Sequence, residues 1–235
     1  MKNYLAFDIE IAAVIPDGLD SWARYRPYGI TCAATLAGDG TSTIWHGKTP
    51  DGGFADRMST AEVVRLVEFL EGEVSSGETL LTWNGAGFDL DVLAEESKLN
   101  DACSRLALNH VDMMFHLFCL KGFTLGLDKA ARGMGLPGKS HDVGGANAAN
   151  FWREGRQLEV LEYVHQDVVT TLGVALAVDK TRVLSWKSNR GMDQFLPFPN
   201  GWLTLKEAQR LPEPDTSWMG NPWKRSKFTG WISAV

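Results

Sequence analysis

Cysteine is scarce. The chain has three, Cys32, Cys103 and Cys119, in 235 residues, an odd number with no C-x-x-C pair. Neither a disulfide framework nor a thiolate zinc site is indicated, and a reducing, cytoplasmic setting is expected. Long apolar runs are missing as well: none reaches the ~18–20 residues that a membrane-spanning helix needs, so no membrane partner is expected. The opening residues MKNYLAFDIEIAA put Asp8 and Glu10 where a secretory signal requires an unbroken apolar stretch. Positive charge is in deficit, with 23 Lys and Arg against 29 Asp and Glu and a net charge of −6, which argues against a protein that coats its partner through a general cationic field. What is present suits a folded domain: 44% hydrophobic and 22% charged residues, with an excess of aromatics that includes nine Trp.

The charge is unevenly spread. Residues 1–179 hold 14 Lys and Arg against 25 Asp and Glu, whereas residues 180–235 hold 9 against 4, together with five of the nine Trp. We therefore divide the chain into a main domain, 1–179, and a basic, Trp- and Pro-rich extension, 180–235, packed on or beside it. Within the extension Lys224, Arg225 and Lys227 lie among Trp186, Trp202, Trp218, Trp223 and Trp231. Basic residues interleaved with aromatics can grip a single strand by pairing with phosphates and stacking on bases; the alternative is that these Trp fasten the extension to the main domain.

Residues 3–13 read as an apolar strand, and 30–37 and 41–46 as a hairpin about Gly38-Asp39-Gly40. Ser59-Thr60-Ala61-Glu62 is a capping box that opens a helix of about a dozen residues. Glu78 to Trp83 is a short buried strand, and Phe88 to Lys98 a helix. Further helices are expected over 111–120, 124–134 and 156–178, and a second capping box, Thr204 to Glu207, marks a short one in the extension. Residues 136–150 read as a loop, and the chain past 185 as irregular. Hairpin strands followed by strand–helix alternation indicate a mixed sheet with helices packed on it, an α/β architecture.

Three segments carry chemistry. In Phe7-Asp8-Ile9-Glu10 the alternation of a strand puts Asp8 and Glu10 on one face. Two carboxylates on a buried strand are destabilising unless paired or bound to a cation, and hard oxygen donors suit Mg²⁺ or Mn²⁺. A strand edge facing solvent is the alternative. In Asn84-Gly85-Ala86-Gly87-Phe88-Asp89 a strand ends in a Gly-rich turn and Asp89 enters the first turn of a helix, where the dipole alone would favour it. Asp91 points away from Asp89 on that helix. In Tyr163-Val164-His165-Gln166-Asp167 the phenol and the carboxylate lie one turn apart on one face.

Taken together, D-x-E on a first strand, N-x-x-F-D at a strand-to-helix junction and Y-x-x-x-D on a late helix resemble the DnaQ-like 3′→5′ exonucleases of the DEDD superfamily, in the Tyr-bearing branch. The His-bearing branch is excluded, because Glu162 stands where its His would be, and His165 is a flank residue. His110-Val111-Asp112-Met113 and Thr124 to Lys129, followed by Gly135-Leu136-Pro137-Gly138-Lys139, look closest to the exonuclease domains of family-B DNA polymerases. The resemblance covers roughly residues 3–178. It implies an RNase H-like mixed sheet with an antiparallel N-terminal hairpin and helices on both faces, and two divalent ions held by Asp8, Glu10, Asp89 and Asp167. Asp8 would bridge both ions, Glu10 and Asp167 would complete the first, and Asp89 would support the second.

The same resemblance implies 3′→5′ hydrolysis of single-stranded nucleic acid, DNA favoured and RNA open, to nucleoside 5′-monophosphates. Tyr163 would orient the attacking water, since an ordinary phenol with a pKa of about 10 keeps its proton at neutral pH. Substrate contacts are expected at Ile9, Ile11, Asn84 and Phe88, and at Lys224, Arg225 and Lys227 in the extension. Ile11 replaces the Thr that many members carry, so contacts to the terminal nucleotide are expected to differ. His141 is a candidate to enter the site from the Gly-rich loop or to remain solvated there. Any polymerase or repair partner would act in trans. A hydrolase of short oligoribonucleotides, a non-catalytic module that holds strand ends, and an RNase H-like endonuclease are the alternatives.

Overall fold

The structure is a computed structural model, and residues 3–16, 22–138 and 145–233 are described. Strand β1 (Tyr4–Ile11) is followed by a 3-10 turn at Ala23–Tyr25 and the hairpin β2 (Ile30–Ala37) and β3 (Ser42–His46). Then come α1 (Thr60–Ser75), β4 (Thr79–Thr82), α2 (Asp89–Ser97), α3 (Asn100–Asn109), β5 (Val111–Asp112) and α4 (Met113–Lys121). Helices α5 (Leu127–Gly133), α6 (Gly145–Arg153) and α7 (Gln157–Thr181) precede a hairpin of β6 (Val183–Lys187) and β7 (Asp193–Pro197) and two short helices, α8 (Leu205–Ala208) and α9 (Ser226–Thr229).

The main sheet has the order β3-β2-β1-β4-β5. β1 pairs antiparallel with β2 and parallel with β4, so the sheet is mixed, as the sequence pattern leads one to expect. Alternation along β1 sorts its side chains between two cores. Leu5, Phe7, Ile9 and Ile11 join Val63, Leu66, Leu70, Leu90 and Leu93 of α1 and α2, whereas Tyr4 and Ala6 join Val160, Val164 and Val168 of α7. Helices therefore cover both faces of the sheet, and α7 crosses β1 and β2 on the face toward which Asp8 and Glu10 point.

Several elements differ from the sequence reading. Val111 and Asp112, expected to begin a helix, pair with Leu81 and Thr82 as a parallel strand, and the helix starts only at Met113. Asp112 caps that helix by accepting from the Phe115 N–H, which fixes the boundary. Helix α6 occupies 145–153, most of which the sequence pattern assigns to a loop; Ala148 and Trp152 bury against α7, and this packing outweighs the weak periodicity of an Ala-rich stretch. Helix α1 runs 16 residues, longer than the dozen expected, from its Ser59 to Glu62 capping box. Helix α3 and the β6–β7 hairpin have no counterpart in the sequence reading. Lys139 and His141 lie outside the described residues.

The segment after α7 contributes to the core. Trp202 is 1% exposed and donates from Nε1 to the Ala175 carbonyl at 3.3 Å; Trp186, Leu196 and Phe198 bury in the same cluster. Trp218 and Trp223 remain exposed. The extension's tryptophans thus divide between packing and surface. Among the described residues no helix is long and apolar enough to cross a membrane.

Trp202→Ala is expected to cost about 3–5 kcal/mol, read as a lowered urea midpoint with an unchanged slope. A shift below ~1 kcal/mol would mean that the extension does not hold the main core together.

Candidate active site

The site forms where β1 outruns its parallel neighbour. β4 pairs with β1 only from Tyr4 to Ala6, so beyond that point no described strand pairs with this edge of β1. The amide of Ile9 on this stretch is satisfied by Asp89, whose Oδ1 accepts from it at 3.1 Å. A side chain on α2 therefore stands in for a missing strand, between Asp8 and Glu10 in sequence. On the adjoining face α7 carries Asp167 across β1, and one carboxylate oxygen each from Asp8, Glu10 and Asp167 lie within 4.8 Å of one another. Glu10 and Asp167 are buried and Asp8 is partly so. Tyr163, 7% exposed, stands one turn before Asp167 on the same face of α7.

The turn that delivers Asp89 is held by close backbone packing. Asn84 has φ of 76°, in the left-handed region, where Asn is among the tolerated residues. A Cβ on Gly85 would collide with the Thr82 hydroxyl, and one on Gly87 would come within 2.6 Å of Asn84 Oδ1 and 2.9 Å of the Phe228 ring. Asp112 closes the arrangement by accepting from the amides of Asn84 at 3.0 Å and Ala86 at 2.9 Å, besides Phe115. Asp112, named in the sequence only as part of the His110 to Met113 stretch, is a positioning residue; its burial at the end of β5, a strand the sequence pattern does not reveal, brings it to these amides.

Asp89 is 3% exposed. Loss of hydration pushes its carboxyl up to about 7; repulsion from Asp112 and Asp167 adds to this, and the hydrogen bond from Ile9 opposes it. Crowding of buried acids perturbs their ionisation, as it does at functional sites and in structural networks alike. Three or four carboxylates converging from a strand and two helices offer hard oxygen donors of the kind that suit Mg²⁺ or Mn²⁺, so the residues present fit such ions.

The remaining candidates fare unevenly. Ile9 and Ile11 are buried with α1 and α2 on the face opposite the acids, so their side chains are core and only their backbone borders the site. The Arg225 guanidinium donates to the carbonyls of Gln209, Leu211, Cys119 and Pro212, which ties the C-terminal segment to α4. Lys224 and Lys227 are exposed, Lys227 over the Trp223 ring at 3.0 Å. Phe88 stacks on Tyr28 with ring centroids 6.2 Å apart and meets Trp22 edge-on at 6.0 Å. Asp91 pairs with Arg26, and His165 is half-buried on the flank of α7. The C-terminal segment reaches the motif turn directly, since Trp231 Nε1 donates to the Ala86 carbonyl at 2.7 Å and Phe228 packs on Phe115.

Residues 94–183 match a family described as a predicted 3'-5' exonuclease related to the exonuclease domain of PolB. That stretch contains Asp112, Tyr163 and Asp167; Asp8, Glu10 and Asp89 lie outside it. The chain is also similar in structure to a family B DNA polymerase from the hyperthermophilic archaeon Pyrobaculum calidifontis, with a TM-score of 0.55 and 23% identity over 76% of this chain. It spans 24% of that polymerase chain, and the likeness is one of fold. No curated protein matches the chain.

The buried carboxyl of Asp89 makes a pH prediction. In the unfolded chain an Asp ionises above ~3.9, whereas folded Asp89 keeps its proton up to about 7. Between these limits the folded state binds more protons, so this group's contribution to stability falls as pH rises. With metal chelated, urea unfolding should show the wild type losing stability relative to Asp89→Asn as pH is raised across that window. A wild-type to variant difference that stays constant with pH would contradict the shift.

Proposed function

We propose that the chain is a divalent-metal-dependent 3′→5′ exonuclease that hydrolyses single-stranded nucleic acid, DNA in preference to RNA, to nucleoside 5′-monophosphates. The observation that carries this reading is the convergence of Asp8, Glu10 and Asp167 from β1 and α7 to within 4.8 Å. The matched exonuclease family and the polymerase-like fold support it. Two ions of Mg²⁺ or Mn²⁺, when bound, would supply charge neutralisation, activation of water and stabilisation of the leaving 3′-oxygen. Asp8, Glu10 and Asp167 would hold them, with Asp89 beside.

The chain's own residues have distinct tasks in this scheme. Tyr163, one helical turn from Asp167, is placed to hydrogen-bond and orient the attacking water rather than to take its proton. Water adds to the phosphorus of the last phosphodiester, the P–O3′ bond breaks, and the departing 3′-oxygen acquires a proton to leave a new 3′-hydroxyl and a free 5′-monophosphate. Phe88, against Tyr28 and Trp22, offers an aromatic surface next to Asp89 on which a base can stack. Asp112, through the Asn84 and Ala86 amides, keeps that surface and Asp89 in register.

The test is a 5′-labelled oligonucleotide assay, on DNA and RNA, with Mg²⁺, Mn²⁺ or EDTA. Wild type should shorten the strand stepwise from the 3′ end and release 5′-monophosphates. Asp8→Ala and Asp167→Asn should lose at least ~10³-fold in rate while keeping the wild-type circular dichroism spectrum. Tyr163→Phe should lose less, with KM little changed. Metal-independent cleavage, or full activity in Asp8→Ala, would defeat the proposal.

A further inference from the structure

The cations that the sequence pattern assigns to substrate lie in the C-terminal extension, yet a cavity at the end of the acid-bearing strand is lined by others. A cleft of 540 Å³ opens at the end of β1, with Ala12 and Thr31 among its lining residues; this is in the range of ~300–1,000 Å³ typical of ligand sites. Ala12 follows Glu10 by two residues, and the Thr31 hydroxyl donates to the Glu10 backbone carbonyl at 3.0 Å, so the cleft lies at the end of the strand that carries Asp8 and Glu10. Tyr28 lines one part of it and is fixed by Phe88 behind and by the Arg26 guanidinium 4.9 Å from its ring centroid. Trp152 of α6 lines another and is fixed by donating from Nε1 to the Ala55 carbonyl at 2.9 Å.

Among the described lining residues are two arginines, Arg57 from the segment before α1 and Arg153 at the end of α6. Arg153 donates to the Ala12 carbonyl at 3.3 Å, which brings it to the end of the acidic strand. Asp56 is the one acid among the described lining residues, and neither arginine forms an ion pair with another described residue. A polyanion led to a cluster of carboxylates is repelled there, and fixed cations along its approach offset that repulsion. The planar donor fork of Arg suits the paired oxygens of a phosphodiester.

We propose that Arg57 and Arg153 form a phosphate subsite for the body of the bound strand, gripping phosphodiesters next to the scissile one. The inference rests on the nuclease reading for the direction of the strand. It moves the electrostatic grip from the C-terminal lysines to a cleft between the β2–β3 side of the sheet and α6.

The experiment uses the full chain, with Ca²⁺ replacing Mg²⁺ so that binding is read apart from cleavage. Anisotropy of a 5′-fluorescein oligothymidylate is measured with wild type, R57A/R153A and R57K/R153K, each checked for folding by circular dichroism; R57Q and R153Q singly replace the double variant if it fails to fold. A parallel set of oligonucleotides carries one uncharged methylphosphonate at successive positions. Binding to R57A/R153A should weaken roughly tenfold or more, and its dependence on log salt should flatten by about 0.7 for each phosphate that is no longer neutralised, with the Lys variant recovering the salt slope in part. One or two methylphosphonates should weaken wild type and leave R57A/R153A unaffected, a pairing that a merely structural role would not produce. An unchanged salt slope, a methylphosphonate penalty that persists in R57A/R153A, or a wild type that binds no strand would overturn the subsite. Wild type that binds with this phosphate dependence but releases no nucleotide under Mg²⁺ or Mn²⁺ would overturn the nuclease reading alone.

Discussion

Mutual repulsion among acids at one end of a sheet is the constraint around which this structure is arranged. Asp8, Glu10 and Asp167 bring oxygens within 4.8 Å of one another, with Asp89 and Asp112 close behind. Carboxylates so placed, and largely withdrawn from water, destabilise the fold unless something offsets them. Part of the offset is backbone hydrogen bonding: Ile9 donates to Asp89, and Asn84, Ala86 and Phe115 donate to Asp112. Another part is protonation of Asp89, favoured by its burial. A divalent cation would relieve the rest, and on this view folding and chemistry draw on the same electrostatic imbalance.

The geometry follows from sheet topology. Because β4 stops pairing with β1 at Ala6, the later half of β1 is open on that side, and a side chain from α2 fills the gap. Because α7 crosses β1 on the face of Asp8 and Glu10, Asp167 needs no long reach. The opposite face of β1 is wholly apolar and anchors α1 and α2. One strand thus serves as core on one side and as site on the other, which ties the positions of the acids to the packing of the domain.

Much of this was legible in the sequence, because period two in Asp8-Ile9-Glu10 and period four in Tyr163 to Asp167 state which residues share a face before any contact is known. The same periodicity argues that Ile9 and Ile11 turn their side chains away from the acids, and both side chains are buried in the core. Elements whose existence depends on partners were hidden: β5 is two residues long and is defined by pairing with β4, and α6 is helical where Trp152 and Ala148 find α7. Arg225 could not be told from Lys224 and Lys227 by composition, since what distinguishes it is a set of carbonyls brought together from Cys119 and residues 209–212. Arg57 and Arg153 are 96 positions apart in a chain whose net charge is −6, and only the fold brings both to the lining of one cleft.

The central claim is that the converged carboxylates form a cation site, and titration with Mn²⁺ followed by calorimetry tests it most directly. Saturable binding to wild type, accompanied by a rise in the thermal unfolding midpoint and abolished or strongly weakened in Asp8→Asn and in Asp167→Asn, is the expected result. Wild type that takes up no Mn²⁺, with a midpoint that does not respond to the ion, would contradict the account.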